Sequence, residues 1–216
     1  MPAALPKSSA YRELLIPERR VTTLIHDDVV SSQANEFEAR LVAAIAYCIR
    51  HAMAQEPDLG VNGTFTQFTD ESFFKEGLGI VTPHKAQKAL VIKELRALFP
   101  NADAQHIFEA VDTVERFQGG ERQTIIVSFG VGDVDVIEGE EEFLLQMERT
   151  NVAVSRAKSK CIVLLPKSLA YHLPTDQKAA ETAVAIKAYI EEFCAQRTNV
   201  TIHDGAVQRE AEVRWH

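Results

Sequence analysis

The sequence predicts a single α/β domain built on a mainly parallel sheet with helices on both faces. Apolar runs of strand length alternate along the chain with segments whose apolar residues recur at helical spacing. The apolar runs lack the in-out alternation of a sheet with one face in water, which indicates strands buried on both sides. At about 100–200 residues per domain, the length of 216 residues allows one large domain or two very small ones. The fractions of 46% hydrophobic and 25% charged residues are typical of a globular protein.

The first half of the chain opens with an expected irregular lead-in over 1–20, because this segment contains prolines, serines and arginines without apolar periodicity. A β-rich run predicts a strand over 21–28. Asn35 has the character of a helix cap, and helical periodicity then continues to about Met53. Residues 54–76 combine glycine, proline and polar residues, so they are expected to form a long, poorly structured connection.

The second half repeats the alternation. A strand over 78–83 precedes a helix for which Thr82 is the expected cap and Pro83 the first residue, with Val91, Leu95 and Leu98 as its buried stripe. The remaining predicted elements are, in order, strands over 106–113 and 124–130, an acidic loop over 131–142, a helix to about Ala157, a strand over 160–166, a long helix with one apolar face, a strand over 200–204 and a tail over 205–216. The domain proper is expected to span 21–204.

Composition and charge exclude several classes of protein. The formal net charge of −8 argues against a surface that binds nucleic acid by bulk charge, although it leaves room for a local contact strip. The three cysteines are far apart and form no C-x-x-C pair, so buried free thiols are expected rather than a zinc site. Neither a signal peptide nor a run of about 18 apolar residues is present, so a cytoplasmic protein without membrane contact is expected.

No G-x-x-x-x-G-K-[ST] occurs, so the chain has no P-loop of its own. Three other segments stand at predicted strand ends: GIVTPHKAQ over Gly79–Gln87, VDTVERFQGGE over Val111–Glu121, and RTNVAVSRAK over Arg149–Lys158. In parallel sheets ligands bind beyond the carboxyl ends of strands, so the residues that follow or lead into these strands are the expected site.

In order and spacing, the three segments resemble motifs IV, V and VI of superfamily 1 helicases of the nonsense-decay (Upf-like) branch, over residues 21–166. In that family ATP lies between two RecA-like lobes, of which the first supplies the P-loop and the Mg²⁺ ligand. The resemblance therefore implies the second RecA-like lobe alone, which requires a P-loop-bearing lobe in cis or in trans. The implied cofactor is ATP with Mg²⁺, and the implied partner is single-stranded DNA or RNA.

The resemblance also implies roles for individual residues. Arg156 corresponds to the arginine finger, a planar and permanently charged group suited to the charge that develops on the γ-phosphate. Glu121 corresponds to a glutamate beside the nucleotide, although an acid in the first turn of a helix has a similar pattern. Asn151 is assigned to the nucleotide side and Ser155 to the nucleic-acid side, and both would orient their helix. Arg149 either supports the nucleotide site or forms an ordinary ion pair.

Motifs V and IV supply the other expected contacts. In motif V, Gly119 and Gly120 would allow the close backbone approach of a phosphate, and Thr113 and Gln118 would contact the nucleic-acid backbone. In motif IV, Gln87, Lys85 and Lys88 would contact the nucleotide. Thr113 as a strand-end cap and the lysines as ordinary solvated residues remain alternatives. His84 stands where the family commonly has tyrosine.

Two functions follow as expectations. The first is the motor lobe of an ATP-dependent helicase or translocase. The second is a stand-alone binding domain derived from such a lobe, which the acidic balance of the chain and its acidic stretch 133–142 favour slightly. The isolated chain is expected to be inactive as an enzyme in either case, because the P-loop is missing.

Overall fold

The computed structural model describes residues 7–55, 58–59, 65–66, 68–113, 121–145, 154–174 and 177–216. The strands in these ranges are β1 Lys7–Ser8, β2 Val21–His26, β3 Asp58–Leu59, β4 Phe65–Thr66, β5 Leu78–Thr82, β6 Val111–Thr113, β7 Arg122–Ser128, β8 Ala157–Pro166, β9 Gln196–Asp204 and β10 Val207–Trp215. The helices are α1 Ala10–Leu14, α2 Glu36–Gln55, α3 Asp70–Ser72, α4 Lys85–Leu98, α5 Ala104–Ala110, α6 Val134–Gly139, α7 Glu141–Leu144, α8 Lys167–Ala170 and α9 Gln177–Ala188, with π-helical turns at Phe73–Gly77 and Tyr189–Phe193.

The main sheet confirms the predicted α/β architecture. Its strand order is β1-β9-β10-β2-β8-β7-β5-β6. The five strands from β2 to β6 in this order are parallel, whereas β10, β9 and β1 extend the sheet in antiparallel pairing. The strands β3 and β4 form a separate two-stranded sheet. Because the parallel strands come from distant parts of the chain, residues far apart in sequence meet at both ends of this sheet.

The parallel strands are buried on both faces. On one face, Ile126 and Ile162 pack in the same cluster as Leu41 and Ile45 of α2. On the other face, Val127 and Val163 pack with apolar residues of α9, such as Ile186. Burial of each such side chain stabilises the fold by about 1.5–3 kcal/mol, so residues on both sides of a strand must be apolar. This explains the missing alternation in the sequence.

The structure confirms α2 and shifts the start of α4. Asn35 caps α2 as expected, since its Oδ1 accepts a hydrogen bond from Glu38 N at 2.8 Å. The helix α4 begins at Lys85 with His84 as its N-cap, so the expected cap at Thr82 is wrong. Thr82 is still the last residue of β5, where it pairs with β6, and its hydroxyl donates to His84 O at 3.1 Å.

The strand predicted over 106–113 is wrong for most of its length. Residues Ala104–Ala110 form α5, and the strand β6 has only three residues. Asp103 caps the helix by accepting a hydrogen bond from Gln105 N at 2.7 Å. Ile107 and Ala110, three residues apart, are both buried, so one helical face packs on the core. Local capping and this packing outweigh the β-propensity of the sequence.

Two segments expected to be loops contain helices. In the acidic stretch 131–142, Asp133 caps α6, and Glu141 of α7 is buried with its carboxylate 2.6 Å from His172 Nε2. Some acidic residues of this stretch therefore cap a helix or pair with a histidine, and are not merely solvated. In the connection 54–76, the described residues include α3 and the buried side chains of Phe73 and Phe74. These rings anchor the end of the connection in the core.

Both ends of the described chain differ from expectation. The lead-in contains β1 and α1, and residues expected as a tail form β10 between β2 and β9. The cause is visible in β10 itself, where Ala211 and Val213 alternate with polar residues and are buried against the core. The strand predicted over 200–204 begins earlier, at Gln196.

Other expectations concern composition. Cys48, Cys161 and Cys194 are free thiols, as expected, and the last two are buried. Across the described ranges, no helix has both the length and the apolar character needed to cross a membrane. Within the same part of the chain, no three histidine, cysteine or acidic side chains are grouped as a metal site requires.

Candidate functional site

The site residues expected at one end of the sheet lie at two. Thr82 and Thr113 end β5 and β6, whereas Glu121 and Arg156 immediately precede β7 and β8. We call these ends the carboxyl edge and the amino edge of the parallel sheet. The seven residues of β7 separate the two edges by about 20 Å at ~3.3 Å per residue. The expectation of one site beyond the carboxyl ends is therefore wrong.

Motifs V and VI meet at the amino edge. Arg122 N donates a hydrogen bond to Arg156 O at 3.0 Å, which joins the starts of β7 and β8. The Lys158 ammonium lies 3.6 Å from the carboxylate of Glu121, whose side chain is 64% exposed. The two residues that were expected to be catalytic, Arg156 and Glu121, thus precede neighbouring strands whose backbones are joined at this edge. Ser155 is exposed next to Arg156.

The guanidinium of Arg156 is the notable group at this edge. Its Nε is buried and has no hydrogen-bond partner among the residues that the structure describes. Burying a charged donor without a partner is costly, and the cost falls when an anion supplies the acceptor. An oxygen of a phosphate group fits this requirement, because arginine can donate to it in a planar fork.

Further cations lie at the amino edge that were not expected from the motifs. Burial lowers the pKa of Arg122, an effect that the nearby Glu76 carboxylate partly offsets. Burial, and then the positive charge of Arg19, lower the pKa of Lys160 to about 8. With Arg156 and Lys158, these side chains make the edge electropositive in a protein of net charge −8. The visible signal was the repeated basic residue at 156, 158 and 160, where β8 begins.

Lys160 also holds the start of the domain against this edge. Its ammonium donates to the carbonyl oxygens of Ile16 at 2.9 Å and of Arg19 at 2.5 Å. These carbonyls belong to the segment that leads into β2. The lysine is therefore a structural cation, whereas Lys158 is a basic group that pairs with Glu121.

Five expected contact residues lie outside the described residues: Gln118, Gly119, Gly120, Arg149 and Asn151. Their assigned roles stay predictions. The described residues that flank them, Thr113 and Glu121 on one side and Leu145 and Val154 on the other, fix the ends of both segments.

At the carboxyl edge, Gln87 is fully buried rather than directed toward a ligand. Its Nε2 donates to Ser128 Oγ at 3.0 Å, and its Oε1 accepts from Asn35 N at 2.8 Å. Since both ends of the amide have protein partners, Gln87 connects α4 to β7 and to the start of α2. The structure does not bring Gln87 to Arg156.

Glu38 is the centre of the same network. One carboxylate oxygen accepts from Ser128 Oγ at 2.7 Å and from Gly130 N at 3.1 Å. His26 Nε2 donates to the other oxygen at 2.9 Å, while His26 Nδ1 accepts from Asp28 N at 3.4 Å. The side chains of His26 and Glu38 are completely buried. We call His26, Asn35, Glu38, Gln87 and Ser128 the Glu38 network; it joins β2, α2, α4 and β7.

The cations expected near motif IV lie at this carboxyl edge. Lys88 Nζ is 3.0 Å from Asp112 Oδ1, so Lys88 is ion-paired rather than simply solvated. Asp112 Oδ1 also accepts from Thr113 N at 2.8 Å. Lys85 is exposed in the first turn of α4. Neither lysine lies at the edge that carries Arg156, so neither is placed as a second cation for the same phosphate group.

His84, which stands in the family's tyrosine position, is largely covered. Its ring centroid is 5.6 Å from that of Phe143, and its Nε2 lies 3.1 Å from Glu140 Oε2. The ring therefore already contacts Phe143 of α7 and Glu140, the residue before α7.

Gly130 offers a test of the carboxyl edge. Its φ is +68°, and an added Cβ would lie 2.6 Å from Gln87 Cδ. We expect Gly130→Ala to lower the free energy of unfolding by more than the ~1–2 kcal/mol of left-handed strain alone. Gly205→Ala is the matched control, because Gly205 has a φ of +64° with no atom near its added Cβ. If urea unfolding shows the same loss of stability for both variants, the side chain of Gln87 moves away from the added Cβ without an energetic cost.

Comparisons with known proteins show the family of the chain. The model of a family described as "AAA domain" matches residues 16–167. The chain is 35% identical over 95 residues to the probable helicase senataxin of Homo sapiens, which covers 44% of this chain and 3% of that protein. It is 27% identical over 163 residues to the DNA replication ATP-dependent helicase/nuclease dna2 of Schizosaccharomyces pombe, covering 74% of this chain and 10% of that protein.

A third relative is the probable RNA helicase armi of Drosophila melanogaster, 33% identical over 90 residues, covering 40% of this chain and 7% of that protein. The chain thus aligns with no more than a tenth of the length of these three relatives. The family match covers well over half of the chain, from the segment before β2 to the first residue of α8. The chain therefore belongs to the AAA domain family and is a helicase-like domain of it.

Proposed function

We propose that the chain is the second RecA-like motor lobe of an ATP-dependent superfamily 1 helicase or translocase of the Upf-like branch. A P-loop-bearing lobe, in cis or in trans, completes the ATP site. The observation that carries the proposal is the buried, unpartnered Nε of Arg156 beside Glu121 at the electropositive amino edge, within the described residues.

In this proposal the amino edge binds the nucleotide. Arg156 donates to oxygens of the γ-phosphate and stabilises the charge that develops as water attacks in line. Glu121, which is exposed next to it, accepts a hydrogen bond from the nucleotide. The ligands of Mg²⁺ would come from the other lobe. Lobe closure brings Arg156 into position, so hydrolysis and closure are coupled.

The carboxyl edge binds the nucleic acid. Single-stranded DNA or RNA passes over the ends of β5 and β6, where Thr113 and Lys88 contact its phosphates. Such contacts hold a strand without reading its sequence. In this proposal nucleotide and nucleic acid lie at opposite ends of the same strands, about 20 Å apart, so a tilt of the sheet moves both.

A stand-alone binding domain is the second candidate. The observation that favours it is that Lys88 lies 3.0 Å from Asp112, and His84 lies 3.1 Å from Glu140, at the expected nucleic-acid edge. Phosphates would have to compete with these carboxylates. A protein partner that binds through this edge would not need ATP, so the two candidates differ in the role of Arg156.

The isolated chain should show no multiple-turnover ATP hydrolysis, even with single-stranded nucleic acid added, because the P-loop and the Mg²⁺ ligands are missing. Adding a P-loop-bearing RecA-like lobe should restore hydrolysis that nucleic acid stimulates. The measurement is phosphate release at steady state. Turnover by the isolated chain that disappears in Arg156→Ala would contradict the proposed division of the site between two lobes.

A further inference from the structure

Phe108 is an exposed aromatic side chain that none of the three motifs includes. It lies on α5, directly before β6, and 52% of it is exposed. Its helical neighbours Ile107 and Ala110 are buried, so Phe108 is on the outer face of the helix. β6 is the last strand of the sheet on this side. The ring therefore stands on the flank of the domain, five residues before Thr113 in the sequence.

The ring is held in place by the groups of the carboxyl edge. Lys88 Nζ lies 4.4 Å from the ring centroid, a cation–π contact. The same ammonium is 3.0 Å from Asp112, whose carboxylate accepts from Thr113 N at 2.8 Å. One cation thus links the aromatic ring to the strand end expected to contact nucleic acid. More than half of the ring side chain stays open to solvent.

We propose that Phe108 stacks on a base of the bound single-stranded nucleic acid, at the point where the nucleic acid passes beyond β6. Lys88 then contacts the adjacent phosphate. This inference rests on the proposed function of the carboxyl edge and adds a base contact to it. An aromatic ring next to a cation is the arrangement that binds single strands without sequence preference, since every base has a π-face.

The alternative occupant of an exposed aromatic ring is an apolar protein surface. Here the Lys88 ammonium lies over the ring and pairs with Asp112, and the next residue of the helix is Glu109. A charged surround suits a base with a flanking phosphate better than an apolar partner surface, whose centre is depleted in charge.

The test is binding of an oligonucleotide that contains 2-aminopurine, whose fluorescence falls when it stacks. The wild-type chain should bind and quench it. Phe108→Ala should weaken binding by about 5- to 150-fold and abolish the protein-induced quenching. Phe108→Tyr should retain both, since the ring is kept. Leu173→Ala, at an exposed apolar residue after α8, is the matched control and should bind as the wild type does.

Each outcome bears on a defined part of the proposal. Wild-type affinity and quenching in Phe108→Ala would overturn stacking and leave the proposed motor lobe intact. Loss of binding in Phe108→Ala that Phe108→Tyr does not restore would show a structural role and overturn stacking. No oligonucleotide binding by the wild-type chain would overturn both proposals. A Phe108→Ala chain that binds the oligonucleotide normally but a P-loop lobe weakly would assign the ring to protein docking.

Discussion

Arg156→Ala should lower ATP hydrolysis by the reconstituted pair of lobes by about 10³- to 10⁵-fold. The physical reason is that the Nε of Arg156 is buried at the amino edge without a partner among the described residues, so the proposed role of its guanidinium is to stabilise charge that develops in the transition state. Nucleotide binding should fall far less than the rate. The measurements are phosphate release at saturating nucleic acid and, separately, binding of a fluorescent ATP analogue.

Two further variants sharpen this result. Arg156→Lys keeps the charge but loses the planar fork, so it should stay well below the wild type. Arg197→Ala, at an exposed arginine of β9 that pairs with Glu212, should leave hydrolysis unchanged. Full activity in Arg156→Ala would show that another group supplies the finger. A chain that has lost nucleotide binding as well as turnover would instead make Arg156 a ground-state contact.

Glu38→Ala should lower the free energy of unfolding by about 3–5 kcal/mol, because each buried hydrogen-bond donor left without an acceptor costs about 1–3 kcal/mol. The substitution leaves His26, Ser128 and Gly130 N without their acceptor in a region that water does not reach. Such a loss is a large part of the ~5–15 kcal/mol that stabilises a typical domain. Urea unfolding followed by circular dichroism measures it.

Glu36→Ala is the matched control for Glu38, because it lies two residues earlier in the same helix with its side chain 75% exposed. Its effect should be within about 0.5 kcal/mol. Glu38→Gln keeps the shape and one acceptor oxygen, so its loss should lie between the two. If Glu38→Ala unfolds at the same urea concentration as Glu36→Ala, the Glu38 network does not stabilise the fold.

The parallel core was predictable because its strands are apolar on both faces, a pattern that only burial under two helical layers explains. β10 was not, although Ala211 and Val213 alternate with charged residues over its length. The alternation is that of a half-buried strand, and its polar residues resemble those of a tail. α5 was not predicted because capping by Asp103 and burial of Ile107 stabilise the helix. The β-propensity of the residues contains no information on either interaction.

The motifs predict which residues form the site but not the end of the sheet at which each residue lies. The second motif starts in β6 at the carboxyl edge and ends with Glu121 at the amino edge, so one continuous pattern spans both. Gln87 shows a related limit. A polar side chain just after a strand has the same sequence pattern whether it turns outward to a ligand or inward to Ser128 and Asn35.

The position of β10 has a consequence for how the domain folds. β2, among the first strands in the sequence, pairs on one side with β8 and on the other with β10, so both of its neighbours are more than 130 residues away. Pairing at such separations is slow, because the entropy of closing the intervening loops opposes it before contacts form. During synthesis β2 therefore has no strand partner on either side until β8 and β10 have been made.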